Sequence, residues 1–419
     1  MDYFNYKEKD LFAEEVKVSD IASEIKTPFY LYSNNTLARH YKIFDEALDF
    51  ENKLVCFAVK ANSNIAVLKV LADLGAGADV VSQGEIFRAI TAGISPEKIV
   101  FSGVGKNSEE IEYALNQQIL QFNCESIEEI RDIDQISQRL GVKANIAIRI
   151  NPDVAADTHD KISTGKKGDK FGIDIDNAVS VIKEILTYKH ITFKGISVHI
   201  GSQIISLEPF RKAFLRVVEF VEQIESQNIS TVDNIDFGGG LGAYYGENDT
   251  VLPEAYGKMV KEVAGHLKNK KFIFEPGRLI AANSGILVSS VIIVKNTEDK
   301  KFAILDVAMN DLLRPALYGA KHEIVPLGKK EGSATIYDFV GPICETSDIF
   351  SIDTKFQTLS AGDKVAIRST GAYGAVMSSE YNSRPLIPEV IVKDNNYGII
   401  KSRPQMVDLI KTEKIPDWI

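Results

Sequence analysis

The stretch "KLVCFAVK" (Lys53–Lys60) is apolar almost throughout and closes on a lysine. A strand with no polar face has no side to offer water, which is the mark of a parallel strand covered on both faces. Runs of the same kind follow at regular intervals: "GADVVS" (77–82), "KIVFSG" (98–103), "ILQFNC" (119–124), "KANIAIRIN" (143–151), "FKGISVHIG" (193–201), "VDNIDFGGG" (232–240) and "KFIFEPG" (271–277). Helical patterns fill the gaps. "SQGEIFRAITAG", for example, opens on a Ser–x–x–Glu capping box and stops at Gly93. Eight strands alternating with helices predict an α/β fold, a (β/α)8 TIM barrel. An open doubly wound sheet is the competing arrangement, but eight units in this length favour closure.

Outside this rhythm the pattern changes. After residue 280, "GILVSSVIIVK", "KFAILDVAM", "TIYDFVG", "DKVAIRS" and "PEVIVKD" read as strands with turns between them, and predict an antiparallel β domain. The start of the chain, which includes "PFYLYS", is also strand-like. The expected organisation is an N-terminal segment, 1–33, packing with the β domain; a cofactor-binding barrel, 34–280; and a β-rich C-terminal domain, 281–419.

Composition narrows the partners. Hydrophobic residues are 45% and charged residues 25%, the balance of a soluble globular chain with ample core material. The net charge of −10 comes without a basic cluster, which argues against nucleic-acid and anionic-membrane partners. The first residues, "MDYFNYKEKDLFAEE", are unlike a signal peptide, and "SGILVSSVIIVK" is too short and too β-branched for a membrane span. Three scattered cysteines make no disulfide framework, so a cytoplasmic location is expected. Six histidines, none in His–x–x–x–His spacing, give no metal site.

The unusual residues fall at the C-terminal ends of the strands, where a barrel of this kind carries its chemistry. Lys60 closes the first strand, Arg149 and Asn151 the fifth, and His199 with Ser202 the sixth. "GGGLG" (238–242) and "EPGR" (275–278) follow the last two, where such barrels often bind phosphate through closely approaching backbone N–H groups. A phosphate site with a strand-end lysine suits a phosphorylated carbonyl cofactor, and pyridoxal 5'-phosphate meets both needs. Glu275 is placed to tune its ring nitrogen, and His199 to cover one ring face. Singly, each residue has a plainer explanation: a solvated cap for Lys60, a structural turn for the glycines, a hydrogen-bonded histidine, a buried Cys344 and a surface ion pair for Arg314. Their coincidence on one rim favours the functional reading.

The motifs "AVKANSN" (58–64), "HIGSQ" (199–203), "GGGLG", "EPGR", "CETSD" (344–348) and "GAYG" (371–374) occur in this order, and the set resembles the fold-type III pyridoxal-phosphate enzymes. Within them it is similar to the diaminopimelate decarboxylase family, whose ISTG…KFG segment has a counterpart in "HDKISTGKKGDKFGI" (159–173). The resemblance implies decarboxylation of meso-2,6-diaminopimelate to L-lysine and CO2, the last step of lysine biosynthesis. It implies that Lys60 carries the cofactor, that His199 stacks on its ring and that Ser202, Gly239, Gly240, Tyr373 and the segment Glu275, Pro276, Gly277, Arg278 complete the cofactor contacts. It further implies Cys344 as proton donor, Glu345 as the partner of the substrate's distal ammonium, and Arg278, Arg314 and Tyr318 (with Tyr373) around the distal carboxylate. A homodimer that shares Cys344 and Glu345 across subunits is implied as well. Thr346 and Ser284 depart from the family's usual residues without touching these roles.

The substrate choice has independent support. A second amino-acid head needs a cationic clamp, and the arginine fork matches a carboxylate bidentately. "NDLLRPALYGA" puts Arg314 and Tyr318 four residues apart, on one face if helical. Alternatives are a decarboxylase of ornithine, arginine or lysine, an amino-acid racemase of the same fold type, or a non-catalytic regulator. Glu275, Cys344 and the retained Lys60 argue against the last two.

Overall fold

The structure is a computed structural model and describes residues 2–154, 170–246 and 250–419. The chain divides into two compact units: Met1–Leu37 with Tyr244–Asn248 and Ala281–Ile419, and Ala38–Ala243 with Asp249–Ile280.

The second unit is a closed parallel barrel. Its strands are β1 (Lys53–Ala58), β2 (Gly77–Val80), β3 (Ile99–Phe101), β4 (Gln121–Cys124), β5 (Ala144–Asn151), β6 (Ile191–Ser197), β7 (Asn234–Asp236) and β8 (Lys271–Phe274). They pair in sequence order, and β8 returns to β1 through Phe272, Ile273 and Phe274 against Lys53, Leu54 and Val55. A two-residue strand, Ile173–Asp174, adds to β5. Phe57, Ala78, Ile146, Ile196 and Ile273 are fully buried, so the apolar runs are buried from both sides as their composition requires.

Helices such as Gln83–Thr91, Ser108–Gln117 and Ile127–Leu140 alternate with these strands. Local chemistry sets their starts. Ser82, Asn107 and Ser126 each accept from the backbone N–H three residues on, and Asn107 with Glu110 forms a full capping box. Several strands end earlier than their apolar runs: β1 stops at Ala58, β6 at Ser197 and β7 at Asp236. The residues that follow leave the sheet and make loop and side-chain bonds instead.

The other unit carries the expected antiparallel-rich β domain, with two parallel pairings in its sheet. Its path runs Ile349–Gln357, Ala334–Val340, Lys301–Leu305, Gly285–Asn296, Phe29–Ser33, Glu389–Lys393 and Asn396–Lys401. Most neighbours are antiparallel, but Lys301–Leu305 runs parallel to Ala334–Val340 and Phe29–Ser33 parallel to Glu389–Lys393. Phe29, Leu31, Ile286, Val288, Val390 and Val392 form its core, joined by Phe4, Leu11 and Ile21 from the chain's first residues. Those first residues fold as a small antiparallel sheet of Phe4–Lys7, Asp10–Ala13 and Val16–Lys17.

Candidate active site

Lys60 does not end a strand. It sits in a single 3₁₀ turn, Val59–Ala61, directly after β1. The cause is a change of partner: Ala58 N–H donates to Pro276 O at 3.2 Å in the loop after β8. Gly277 allows that approach, because a Cβ there would lie 2.9 Å from the Ala58 Cβ and 3.1 Å from the Ala61 Cβ. Asn62 and Asn64 fix the exit from the turn. Asn62 Oδ1 accepts from Asn64 N–H, and Asn64 Oδ1 caps the helix Ile65–Ala72.

The Lys60 ammonium lies 2.5 Å from Asp79 Oδ2, on β2. Asp79 is fully buried, while the lysine side chain is 35% exposed. A cation is thus held at the barrel mouth by a buried carboxylate.

His199 lies two residues beyond β6. Gly239 N–H donates to its Nδ1 at 3.2 Å, so that nitrogen carries no proton. Burial, then the nearby Arg149 and Lys60 cations, hold the imidazolium well below the usual histidine range. The ring is neutral and flat at physiological pH. Gly239 must be glycine, since a Cβ would fall 2.2 Å from Glu275 O. Ser202 Oγ accepts from Arg278 at 3.1 Å.

Glu275, on the loop after β8, is buried, and its Oε1 accepts from Asn123 Nδ2 at 3.2 Å and from Ser102 Oγ at 3.5 Å. Asn123 also donates to Asp236 Oδ2 at 2.9 Å and is itself oriented by Gln121, which donates to its Oδ1 at 2.8 Å. Burial first, then the charges of Asp236 and Asp79, push the Glu275 carboxyl well above the carboxylate range. Asp236 is raised as well, again by burial. Glu275 and Asp236 hydrogen-bond and titrate as a pair, and their shared burial favours keeping a proton between them.

A further ion pair braces the rim. Arg149 Nη1 donates to Glu125 Oε1 at 2.8 Å, with both side chains nearly dry, and Glu125 Oε2 accepts from Gly172 N–H. Arg149 also stacks 4.8 Å from the Phe171 ring. Arg149→Met leaves Glu125 buried without its cation and is expected to cost about 3–5 kcal/mol of unfolding free energy, read by urea denaturation. Residues 155–169, which hold most of the "HDKISTGKKGDKFGI" motif, lie outside the described residues.

One rim therefore gathers Lys60, His199, Ser202, Gly239, Gly240, Glu275, Pro276, Gly277 and Arg278. The remaining candidates belong to the β unit. Arg314 and Tyr318 share the short helix Arg314–Tyr318, with the Arg314 guanidinium 5.4 Å from the Tyr245 ring and 5.9 Å from that of Tyr318. Cys344 and Glu345 sit on the exposed turn between strands Ala334–Val340 and Ile349–Gln357. Tyr373 has φ +55°, a left-handed backbone that an aromatic residue rarely adopts and that clusters at functional positions. Sequence reasoning passed over Asp79, Asp236 and Asn123. Their signal was a polar residue inside an otherwise apolar buried strand.

The donor set fits pyridoxal phosphate. Three buried carboxyls, Asp79, Asp236 and Glu275, cluster at this mouth: Asp79 pairs with Lys60, and burial raises both Glu275 and Asp236 so that they favour keeping a proton. Such a surplus of carboxyls suits a ring nitrogen that binds as a cation. Among the described residues, no group of three or more His, Cys, Asp or Glu is placed to hold a metal ion, and no helix is long and apolar enough to cross a membrane.

Comparison with known proteins agrees with this chemistry. Residues 34–282 match the pyridoxal-binding domain of the pyridoxal-dependent decarboxylases. The diaminopimelate decarboxylase of Vibrio cholerae is 45% identical, with 99% of each chain covered. The crystal structure of the Helicobacter pylori diaminopimelate decarboxylase complexed with L-lysine superimposes with a TM-score of 0.91 at 41% identity, covering 94% of this chain and 99% of that one. That of the M. jannaschii enzyme in co-complex with L-lysine does so at 0.94 and 33%, covering 99% and 98%. The chain belongs to the diaminopimelate decarboxylase family of pyridoxal-dependent decarboxylases.

Proposed function

We propose that this protein removes one carboxyl group from meso-2,6-diaminopimelate, giving L-lysine and CO2, as the last step of lysine biosynthesis. The observation that carries this reading is the Lys60–Asp79 pair at a barrel mouth whose other buried carboxyls, Glu275 and Asp236, hold a proton ready for a basic nitrogen.

Bound at this mouth, pyridoxal 5'-phosphate supplies a sink for the electron pair left when the C–CO2 bond breaks. Lys60 holds the cofactor's carbonyl through Nζ, with Asp79 fixing the direction of its approach. Glu275 keeps a proton at the ring nitrogen, and Asp236 keeps Glu275 in place. The neutral His199 ring covers one face without adding a charge that would oppose the ring cation. Ser202, Gly239, Gly240, Pro276, Gly277, Arg278 and Tyr373 bind the phosphate and the ring edge. Once CO2 has left, Cys344 gives the proton on Sγ to the same carbon, so the carboxyl is replaced by hydrogen.

At the substrate's far end, Arg278, Arg314 and Tyr318 (with Tyr373) bind the carboxylate, and Glu345 binds the ammonium. The Arg314 guanidinium, close to two tyrosine rings, is suited to this task, because a flat, weakly hydrated cation loses little on being enclosed. The working form is a cytoplasmic homodimer in which Cys344 and Glu345 serve the other subunit's site.

The test is CO2 release by the pyridoxal-phosphate-loaded protein from meso-diaminopimelate, ornithine, arginine and lysine. A clamp left without its carboxylate loses several hydrogen bonds, so kcat/KM for diaminopimelate is expected to exceed the others by at least about 10³-fold. Equal turnover of ornithine, or none of diaminopimelate, contradicts the reading.

A further inference from the structure

Two residues outside every motif quoted above bind the Cys344–Glu345 pair directly. The turn "GPICETSD" (341–348) is pinned at its base by Asp348, which accepts from Met309 N–H at 2.7 Å and from Ile343 N–H at 2.8 Å. Its tip remains exposed. The segment "SSEYNSRP" (378–385) holds that tip. Cys344 N–H donates to Asn382 Oδ1 at 3.2 Å, and the Tyr381 hydroxyl donates to Glu345 Oε1 at 2.6 Å. The other carboxylate oxygen accepts from Ser347 Oγ at 3.4 Å.

The holding segment is itself strained. Asn382 and Ser383 have φ of +56° and +54°, two consecutive left-handed residues without a glycine. Such a conformation persists only where surrounding contacts over-determine it. Here it sets the Asn382 amide and the Tyr381 phenol on adjacent residues of the turn. An exposed glutamate otherwise samples many rotamers, and a bond to each oxygen removes that freedom before a ligand arrives.

We propose that Tyr381 and Asn382 are positioning residues: Tyr381 aims the Glu345 carboxylate at the substrate's distal ammonium, and Asn382 fixes the backbone from which Cys344 presents its thiol. The inference rests on the roles proposed above for Cys344 and Glu345. It separates the two ends of the substrate, since the Tyr381 contact serves binding and the Asn382 contact serves proton delivery.

The test uses the full-length, cofactor-loaded protein. Tyr381→Phe removes one hydroxyl from an exposed ring and is expected to raise KM for diaminopimelate about tenfold, with a much smaller change in kcat. Asn382→Gly tolerates the left-handed backbone but lacks the acceptor, and is expected to lower kcat about tenfold with KM retained. Asn382→Asp restores the acceptor, also tolerates that backbone, and recovers most of the loss. A merely structural role predicts instead that kcat and KM shift together with heat stability, and no rescue.

A second readout needs no turnover. Cys56 and Cys124 are fully buried, so iodoacetamide reports on the exposed Cys344. The carboxylate of Asn382→Asp, next to the Cys344 backbone, is expected to move its alkylation profile to higher pH. An unmoved profile, or an active wild type whose constants Tyr381→Phe leaves unchanged, overturns the inference. A wild type that ignores diaminopimelate overturns the proposed function, while the alkylation profile still decides the placement of Asn382.

Discussion

Lys60→Ala is expected to lose at least about 10³-fold in turnover, together with the visible absorbance of bound cofactor. The effect is this large because no neighbour can replace the amine. Asp79, the group nearest to it, is an acceptor, and His199 is held neutral with Nδ1 already occupied by Gly239 N–H. The variant should still fold. Lys60 is itself only half-buried on a turn whose Val59 and Ala61 are buried, and the bonds that shape the turn come from the Ala58 and Asn64 backbones and the Asn62 and Asn64 side chains. It does leave Asp79 buried without its cation, so a modest loss of heat stability accompanies the loss of activity. Retained turnover in this variant would return Lys60 to the status of a solvated cap.

Glu275→Gln is expected to move activity and stability in opposite directions. A neutral amide cannot hold a ring-nitrogen proton by charge, and kcat should fall about 10²–10³-fold. In the protein free of cofactor, burial and Asp236 keep the Glu275 proton on well above the pH at which an unfolded glutamate releases it. Between those two pH values the folded chain binds one more proton than the unfolded chain, so stability falls as pH rises through the window. Glutamine removes this penalty. The variant should therefore melt at a higher temperature than wild type at pH 8, with the difference closing toward about pH 4, where unfolded glutamate also keeps its proton. Thermal melts of both cofactor-free proteins across that range decide it. A variant less stable at pH 8 would mean that Glu275 is ionised in the fold. A destabilising carboxyl kept in the core is what a site built for binding, rather than for stability, contains.

The barrel was legible because parallel strands are buried on both faces, and runs such as "KLVCFAVK" have no other economical reading. Its rim was legible for the same reason: Lys60, His199 and Glu275 interrupt those runs. The β unit was only partly so. Its strands could be named, but Phe29–Ser33 lies beside Glu389–Lys393, and nothing local specifies a parallel partner from the far end of the chain. The N-terminal sheet was hidden for a different reason. Its two hairpin turns place Glu8 and Glu14 at φ +55°, without the Asn or Gly that usually marks such turns. Asp236 and Asn123 could be seen as polar residues in apolar strands, yet their joint hold on Glu275 exists only once β4, β7 and β8 are brought together. Tyr381 and Asn382 left no trace at all, since a side-chain bond across a loop has no sequence period.

Lys60 as the residue that holds pyridoxal phosphate is the claim on which the rest depends. Borohydride reduction of the loaded protein, followed by peptide mass spectrometry, tests it directly. The pyridoxyl phosphate mass should appear on the peptide containing "CFAVKANSN", at Lys60, with no other lysine labelled to a comparable extent. A label on another lysine, or none on a protein that still releases CO2 from diaminopimelate, would contradict it.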